Sequence, residues 1–375
     1  MIYLDYSANT PVDTRVLEQF CAVERRCIGN ANSHHQAGSA AKAEIDAATI
    51  KIASLLGVQP AEIIYTSGAS EANNFALKGL ARLSRHAGRH IISTPLEHSS
   101  VSGTLTALQE QGYEIDRLDV KQDGTVDLEH LKDLLRPDTI CVAVTLVDSE
   151  LGVVQPVQEI ATILKAYPHC HLHVDATQAV GKIPVSFEGV DTMSLTAHKF
   201  YGLNGIGLLI KRRNLALEPL IHGGESTTIY RSGTPTVALA SSLACALDLA
   251  VTDLPGHVGH VAKLNAELRA ALSTYPLVHI NSPEHAIPHV LNLSVRNVKG
   301  TVFQRELDAK GVCVSVKSAC SSDGLPSRAV FAVSRDRRNA LSSWRISLSH
   351  LTTEDEIKAF LQAFDVCYRE LTAVH

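Results

Sequence analysis

The sequence predicts an α/β protein: a mostly parallel sheet flanked by helices, joined to a smaller α+β domain. Three observations carry this. Strand-like apolar runs alternate with helix-period runs between Glu62 and Ile210, an alternation that builds parallel sheets with right-handed crossovers. A long helical region, from Thr236 to about Tyr275, leads out of that sheet. Beyond it, the strand-like runs alternate apolar with polar residues, as strands with one wet face do. A chain of 375 residues is long for one core. The expected division gives residues 16–250 to the large domain, and 1–15 with 251–375 to the small one.

Met1–Tyr6 reads as a short strand and Ser7–Pro11 as a turn. A helix follows from about Asp13, with Val16, Leu17 and Phe20 at helical spacing. The small, polar loop Gly29–Gly38 contains Asn30 and is either a plain connection or a substrate-facing loop. A helix over Ala40–Leu56 stops at Gly57. Glu62–Thr66 is a strand, followed by the turn Ser67-Gly68-Ala69-Ser70 and a helix through Phe75–Lys78. Strand, Ser/Gly turn and helix together offer free backbone N–H groups to a phosphate, although many helices begin this way and bind nothing. His90–Ser93 is the next strand. His98 beyond it either stacks on an aromatic ligand, acts as acid or base, or caps a helix. Strands near Gly112–Leu118 and Ile140–Thr145 follow, then His171–Asp175 and, after the lysine turn described below, Ile206–Ile210. In the last third, Val290–Val295 and Val312–Val316 read as half-exposed strands. In Ser343–Ser349, Trp344, Ile346 and Leu348 share the core face, and Arg345 points off it, free to fork onto a carboxylate. Thr353-Glu354-Asp355-Glu356 is a capping box for a final helix with core stripe Ile357, Phe360, Leu361 and Phe364.

Composition narrows the function classes. Hydrophobic residues make up 45% of the chain and charged ones 19%, as in globular proteins. A formal charge of −5 leaves no basic footprint for nucleic acid. No run approaches the roughly 18 apolar residues of a membrane span. No basic and apolar leader opens the sequence, so a cytoplasmic protein is expected. The cysteines, at 21, 27, 141, 170, 245, 313, 320 and 367, form no CxxC pair, which suits neither a zinc site nor a disulfide framework.

Chemistry concentrates in two stretches. Ser194-Leu195-Thr196-Ala197-His198-Lys199 follows a strand-like run and precedes the glycine-rich turn Tyr201–Gly207. A lysine in such a turn is either an ordinary solvated lysine or a desolvated amine that attacks carbonyl carbons. Upstream, His171–Asp175 ends in a carboxylate at a strand end, where open α/β sheets bind their ligands. An aspartate and an amine at neighbouring strand ends are what pyridoxal phosphate needs: the amine for its aldehyde, the carboxylate for its ring nitrogen. Metal binding by His169, His171 and His173 is the rival reading. It lacks further ligands at typical spacing apart from Cys170, and no metal is expected.

Taken together these stretches resemble the cysteine desulfurases of the NifS/IscS-like group, class V aminotransferases of pyridoxal-phosphate fold type I. The resemblance is carried in order by Tyr3–Ala8, Thr66–Asn74, Glu97-His98, His173–Gln178, Ala197-His198-Lys199, Arg231–Thr234, Ser318–Ser322 and Arg345–Leu348. It implies a seven-stranded sheet in the large domain. It implies that Lys199 forms the Schiff base with pyridoxal 5'-phosphate, that Asp175 pairs with the ring nitrogen, and that His98 stacks on the ring and serves catalysis. Gln178 and Ser149 approach the ring oxygen, while Ala69, Ser70, Thr196 and His198 hold the phosphate. Thr234 reaches the phosphate of a second subunit, which implies a homodimer. Arg345 and Asn30 bind the substrate, L-cysteine, and Cys320 takes its sulfur as a persulfide for an acceptor or scaffold protein, in iron–sulfur cluster assembly or tRNA thiolation. Otherwise Cys320 is a buried structural cysteine. A selenocysteine lyase or an aminotransferase acting on another amino acid is the alternative. Asp148-Ser149-Glu150 stands where the family usually has Asn-Asn-Glu, so a serine replaces an amide near the ring oxygen.

Overall fold

The computed structural model describes residues 1–317 and 325–373. A short first strand, β1 (Ile2–Tyr3), lies apart from the main sheet. Among the described residues that sheet has seven strands: β2 (Ile63–Thr66), β3 (His90–Ser93), β4 (Glu114–Arg117), β5 (Thr139–Thr145), β6 (His171–Asp175), β7 (Thr192–Thr196) and β8 (Gly207–Lys211). Their spatial order is β2-β8-β7-β6-β5-β3-β4. The pairs from β7 to β4 are parallel. β8 runs antiparallel to both β2 and β7. The reason lies in the connection 197–206, which is too short for the crossover that a parallel return needs.

Helices cover both faces of this sheet, so its strands are continuous apolar runs; all of β5 is buried. Val142 and Val144 pack into one core with Ile45, Ile52 and Leu243, while Cys141 and Ala143 pack into the other with Phe75, Leu80 and Leu105, the two-residue period of a strand. Helix Gln36–Leu56 begins earlier than the sequence suggests, with His35 as its cap, and ends at Gly57, whose φ of 66° is left-handed and suits glycine.

A second, three-stranded antiparallel sheet, ordered β12-β10-β9, is built from β9 (Val278–Ile280), β10 (Val290–Val295) and, later in the chain, β12 (Ser343–Ser347); between them β11 (Val312–Cys313) pairs with β1. Its apolar side carries a separate core, where Phe303 stacks on Trp344 at 5.1 Å between centroids, beside Phe360 and Phe364 of helix Glu354–Thr372. The Thr353/Glu356 capping box opens that helix as expected.

Three expectations change. The helical region after Thr236 is two helices, Val237–Thr252 and Leu254–Leu272, bent by 65°. Pro255 in the first turn of the second has no N–H with which to continue the first. Among the described residues no single helix is long and apolar enough to cross a membrane. β10 is buried on both faces rather than half-exposed. Helix Arg337–Ser342 covers its polar side, where Asn281 donates to Asn292 and Ser294 and Ser294 donates to the Asn339 carbonyl. Finally, β1 and β11 are two-residue strands, continued only by single bridges from Asp5 to Ser347 and from Ser315 to Arg345.

Candidate active site

The carboxyl ends of β6 and β7 open into a cavity of about 340 Å³. β7 ends at Thr196 and passes through one turn, Ala197–Lys199, before reversing. The reversal needs glycine: a Cβ on Gly202 would sit 2.5 Å from Ala197 Cβ, and Tyr201 is already left-handed at φ 64°. The turn presents Lys199 to the cavity, where its Nζ donates to the Ser7 and Ala8 carbonyls at 2.7 and 2.6 Å.

Asp175, at the neighbouring strand end, is 4% exposed. Its Oδ1 accepts from Thr177 N (3.0 Å) and its Oδ2 from Asn73 Nδ2 (2.8 Å). Asn73, fully buried, also donates to Ser100 Oγ, and its Oδ1 faces Ser194 Oγ and His173 Nε2. The other His173 nitrogen meets Thr192 Oγ1 at 2.9 Å, and burial lowers its pKa to about 4, so this histidine is neutral. That disposes of it as one of a metal-binding trio: both ring nitrogens have protein partners. Among the described residues no group of three or more His, Cys, Asp or Glu side chains is placed to hold a metal ion.

The far end of the cavity is the start of helix Ala69–Leu83. Its first-turn N–H groups have no intrahelical acceptors. Close approach again requires glycine, because a Cβ on Gly207 would meet Leu195 O at 2.6 Å and Gly68 Cα at 2.7 Å. Ala69, Ser70, Thr196 and His198 line this end, with Thr196 Oγ1 and His198 Nδ1 3.1 Å apart. Burial, reinforced by Lys199 and Lys182, pushes His198 down to about 4. Glu71 also lines it and pairs with Arg231 at 3.0 Å.

Of the three readings the sequence left open for His98, the structure shows the helix cap. The residue caps helix Ser99–Gln109, its Nδ1 accepting from Ser100 N, and it lines the cavity. Burial lowers its pKa, against an opposing pull from Asp175. Gln178 donates to Ser7 O at 2.9 Å and accepts from Lys182 Nζ at 3.2 Å. Lys182, which sequence reasoning passed over, is buried beneath the site and is held down to about 7 by burial, then by Lys199 and Arg345. Ser149 lines the cavity, and its carbonyl accepts from Arg345 Nη1 at 2.7 Å. Arg345 is 1% exposed and pairs through Nη2 with Asp5 Oδ1 at 2.9 Å. Behind this wall lie three buried acids: Glu97 pushed up to about 8 by burial, Asp148 to about 7 by burial and then by Glu150, and Glu150 itself raised by burial.

Ten of the expected residues therefore meet in one cavity: Ala69, Ser70, His98, Ser149, Asp175, Gln178, Thr196, His198, Lys199 and Arg345. Two do not. Asn30 is exposed, its Oδ1 accepting from Asn32 N, and Thr234 is exposed on the loop that carries Arg231. Cys320 lies outside the described residues.

The profile of the Aminotransferase class-V family matches residues 2–360. A NifS/IcsS protein homolog of Lactobacillus delbrueckii subsp. bulgaricus is 36% identical over 100% of this chain and 99% of its own length. Cysteine desulfurase IscS of Proteus mirabilis is 40% identical over 95% of this chain and 90% of its own. Among solved structures, a NifS-like protein superposes with a TM-score of 0.92 at 36% identity, covering 99% of both chains. With fold, cavity and sequence in agreement along its length, the chain belongs to the class-V aminotransferases, in their NifS/IscS-like cysteine desulfurase group.

Proposed function

We propose that the chain is a pyridoxal-phosphate-dependent cysteine desulfurase that takes sulfur from L-cysteine and leaves L-alanine. The observation that carries this is the meeting, in one cavity, of the Lys199 amine, the buried Asp175 carboxylate, the open first turn at Ala69 and the Arg345 guanidinium. The donor set fits the cofactor: an amine for the aldehyde, a carboxylate for the ring nitrogen, and backbone N–H groups with Ser70, Thr196 and His198 for the phosphate. A buried Thr177 hydroxyl without a partner, in the same lining, is a further group left for a ligand.

When bound, the cofactor supplies an electron sink for the pair left on the substrate Cα. The rest falls to the protein. Asp175, fixed on both oxygens by Thr177 and Asn73, would keep a proton on the ring nitrogen. Arg345 orients the substrate through its carboxylate. Lys199 is the base for the Cα proton. His98, kept neutral by burial, lines the cavity and would face the ring without adding charge. The Cys320 thiolate attacks the substrate sulfur: an S–S bond forms, the C–S bond breaks, and the electron pair stays on carbon until a proton completes alanine.

The reading extends to a homodimer in which the exposed Thr234 serves the partner's phosphate, and to an acceptor protein that collects the persulfide sulfur. The separate apolar clusters around Val142 and around Trp344 support the division into 16–250 and 1–15 with 251–375. The deciding assay measures sulfide and alanine released from L-cysteine with a reductant, for the parent and for Cys320→Ala. Both products are expected from the parent, with sulfide lost in the variant. A parent loaded with cofactor that releases neither product sinks the proposal.

A further inference from the structure

Arg345 is engaged in this structure by a carboxylate of its own chain. Nη2 donates to Asp5 Oδ1 at 2.9 Å and Nη1 to the Ser149 carbonyl at 2.7 Å; among the described residues this leaves one N–H on each η nitrogen for a fork to something else. Nε is buried and has no partner. Asp5 is itself tied down. Its Oδ2 accepts from Ser315 Oγ at 2.7 Å, and its backbone bridges to Ser347. Ser315 and Arg345 clasp each other through both backbone groups, at 2.6 and 3.2 Å. The three side chains thus sit on mutually bonded backbone, and Asp5 has no slack with which to swing aside.

We propose that Asp5 is a positioning residue that sets the selectivity of Arg345: it stays on the guanidinium as a resident counter-ion, and an incoming amino-acid carboxylate binds beside it. This rests on the reading of Arg345 as the group that holds the substrate carboxylate. The consequence is electrostatic. A buried guanidinium alone attracts any small anion. With Asp5 beside it, much of that attraction is cancelled, and a simple carboxylate holds weakly. An amino acid holds well because its amine is engaged at the other end of the cavity, near Lys199. Asp5 thereby favours ligands that carry both an amine and a carboxylate over ligands that carry only the second.

Asp5→Asn isolates the charge from the geometry. The amide oxygen still accepts from Arg345 Nη2, and the amide nitrogen can donate to Ser315 Oγ, since a hydroxyl also accepts. Calorimetric titration with acetate at fixed ionic strength reads the effect without turnover. Acetate is expected to bind Asp5→Asn about tenfold more tightly than the parent, as removal of a neighbouring like charge requires. The Michaelis constant for L-cysteine should fall as well, the change being carried by KM rather than kcat. Asp5→Ala removes the same charge but also releases the guanidinium, so its acetate affinity should rise less than that of Asp5→Asn. If folded Asp5→Asn binds acetate no better than the parent, or if both variants only lose thermal stability with acetate affinity unmoved, Asp5 is merely structural and the proposal falls. The double variant Asp5→Asn/Arg345→Gln, which removes the cation, separates the two readings. Tight acetate binding retained there shows that Arg345 is not the carboxylate group, whereas absence of sulfide release by the parent condemns the desulfurase reading and leaves the acetate result standing.

Discussion

Asn73→Asp tests whether Asn73 is what aims Asp175. The parent carboxamide has its nitrogen 2.8 Å from Asp175 Oδ2 and 2.9 Å from Ser100 Oγ, in a fully buried position. Substitution puts a second carboxyl oxygen where that nitrogen was. Two buried carboxylates at such a distance share one proton, which raises the pKa of one by several units above the ordinary aspartate value of about 3.9. His173 stands on the other side of Asn73 at 3.0 Å. Wherever the extra proton rests, on either carboxyl or on His173, the folded variant binds one more proton than the parent does. The sign follows. The folded pKa lies above the unfolded one, so the variant keeps its stability below about pH 4 and loses it as pH rises, at about 1.4 kcal/mol per pH unit. Between about pH 5 and pH 8 the gap to the parent should widen by roughly 3–4 kcal/mol. Urea unfolding of parent and variant at these two values measures it. A stability loss of equal size at both values refutes the reasoning, because it would mean that no proton is taken up and that Asn73 is ordinary packing.

Three further predictions follow from the same geometry. The purified protein should absorb near ~400 nm when loaded with cofactor, and Lys199→Ala should lose that covalent chromophore together with sulfide release; an unchanged band in the variant contradicts the assignment. Burial holds Glu97 up at about 8 against an ordinary 4.5, so its contribution to stability is full below 4.5 and drains away as pH rises towards about 8. Glu97→Gln keeps an oxygen for Thr94 Oγ1 and Thr145 N and should flatten that part of the pH–stability curve; parallel curves for the two proteins would show Glu97 to be ionised throughout. Thr353→Ala removes half of the capping box on helix Glu354–Thr372 and should cost about 1 kcal/mol in denaturant unfolding, with cofactor absorbance untouched.

Much of the site was legible because its two key groups sit at strand ends that local patterning marks. Leu172 and Val174 alternate with the histidines up to Asp175, and small residues after Thr196 announce the turn of Lys199. The antiparallel β8 was also readable in principle, since a connection as short as 197–206 excludes a crossover. Pro255 marked the break between the two long helices and was overlooked in a continuous apolar pattern. Other features belong to tertiary closure. Asn73 acts only because residues 100, 173, 175 and 194 converge on it from three parts of the chain; its one local signal is a carboxamide within a buried stripe of Ala72, Phe75, Ala76 and Leu80. β10 reads as half-wet from its own residues, and nothing within it reveals that residues 337–342 will arrive to cover its polar side. Lys182 looks like a loop lysine until the fold buries it under Gln178.

The N-terminal segment has a kinetic meaning. Ser7 offers its carbonyl to Lys199 and to Gln178, and its own N–H to Ser347 Oγ, a partner 340 positions later in the chain. On the ribosome, the seven strands of the main sheet can complete their pairing once β8 has emerged, because all their partners lie between residues 63 and 211. Residues 4–7 must wait, since the strand that receives them is among the last parts to be made. A loop closure of that length is slow and comes late in folding. The lysine would therefore be in its turn well before its carbonyl partners were fixed by β12, and amino-acid binding through Arg345 would begin only once synthesis had passed that strand. A nascent chain stalled before residue 343 should hold a folded sheet and yet fail to bind substrate.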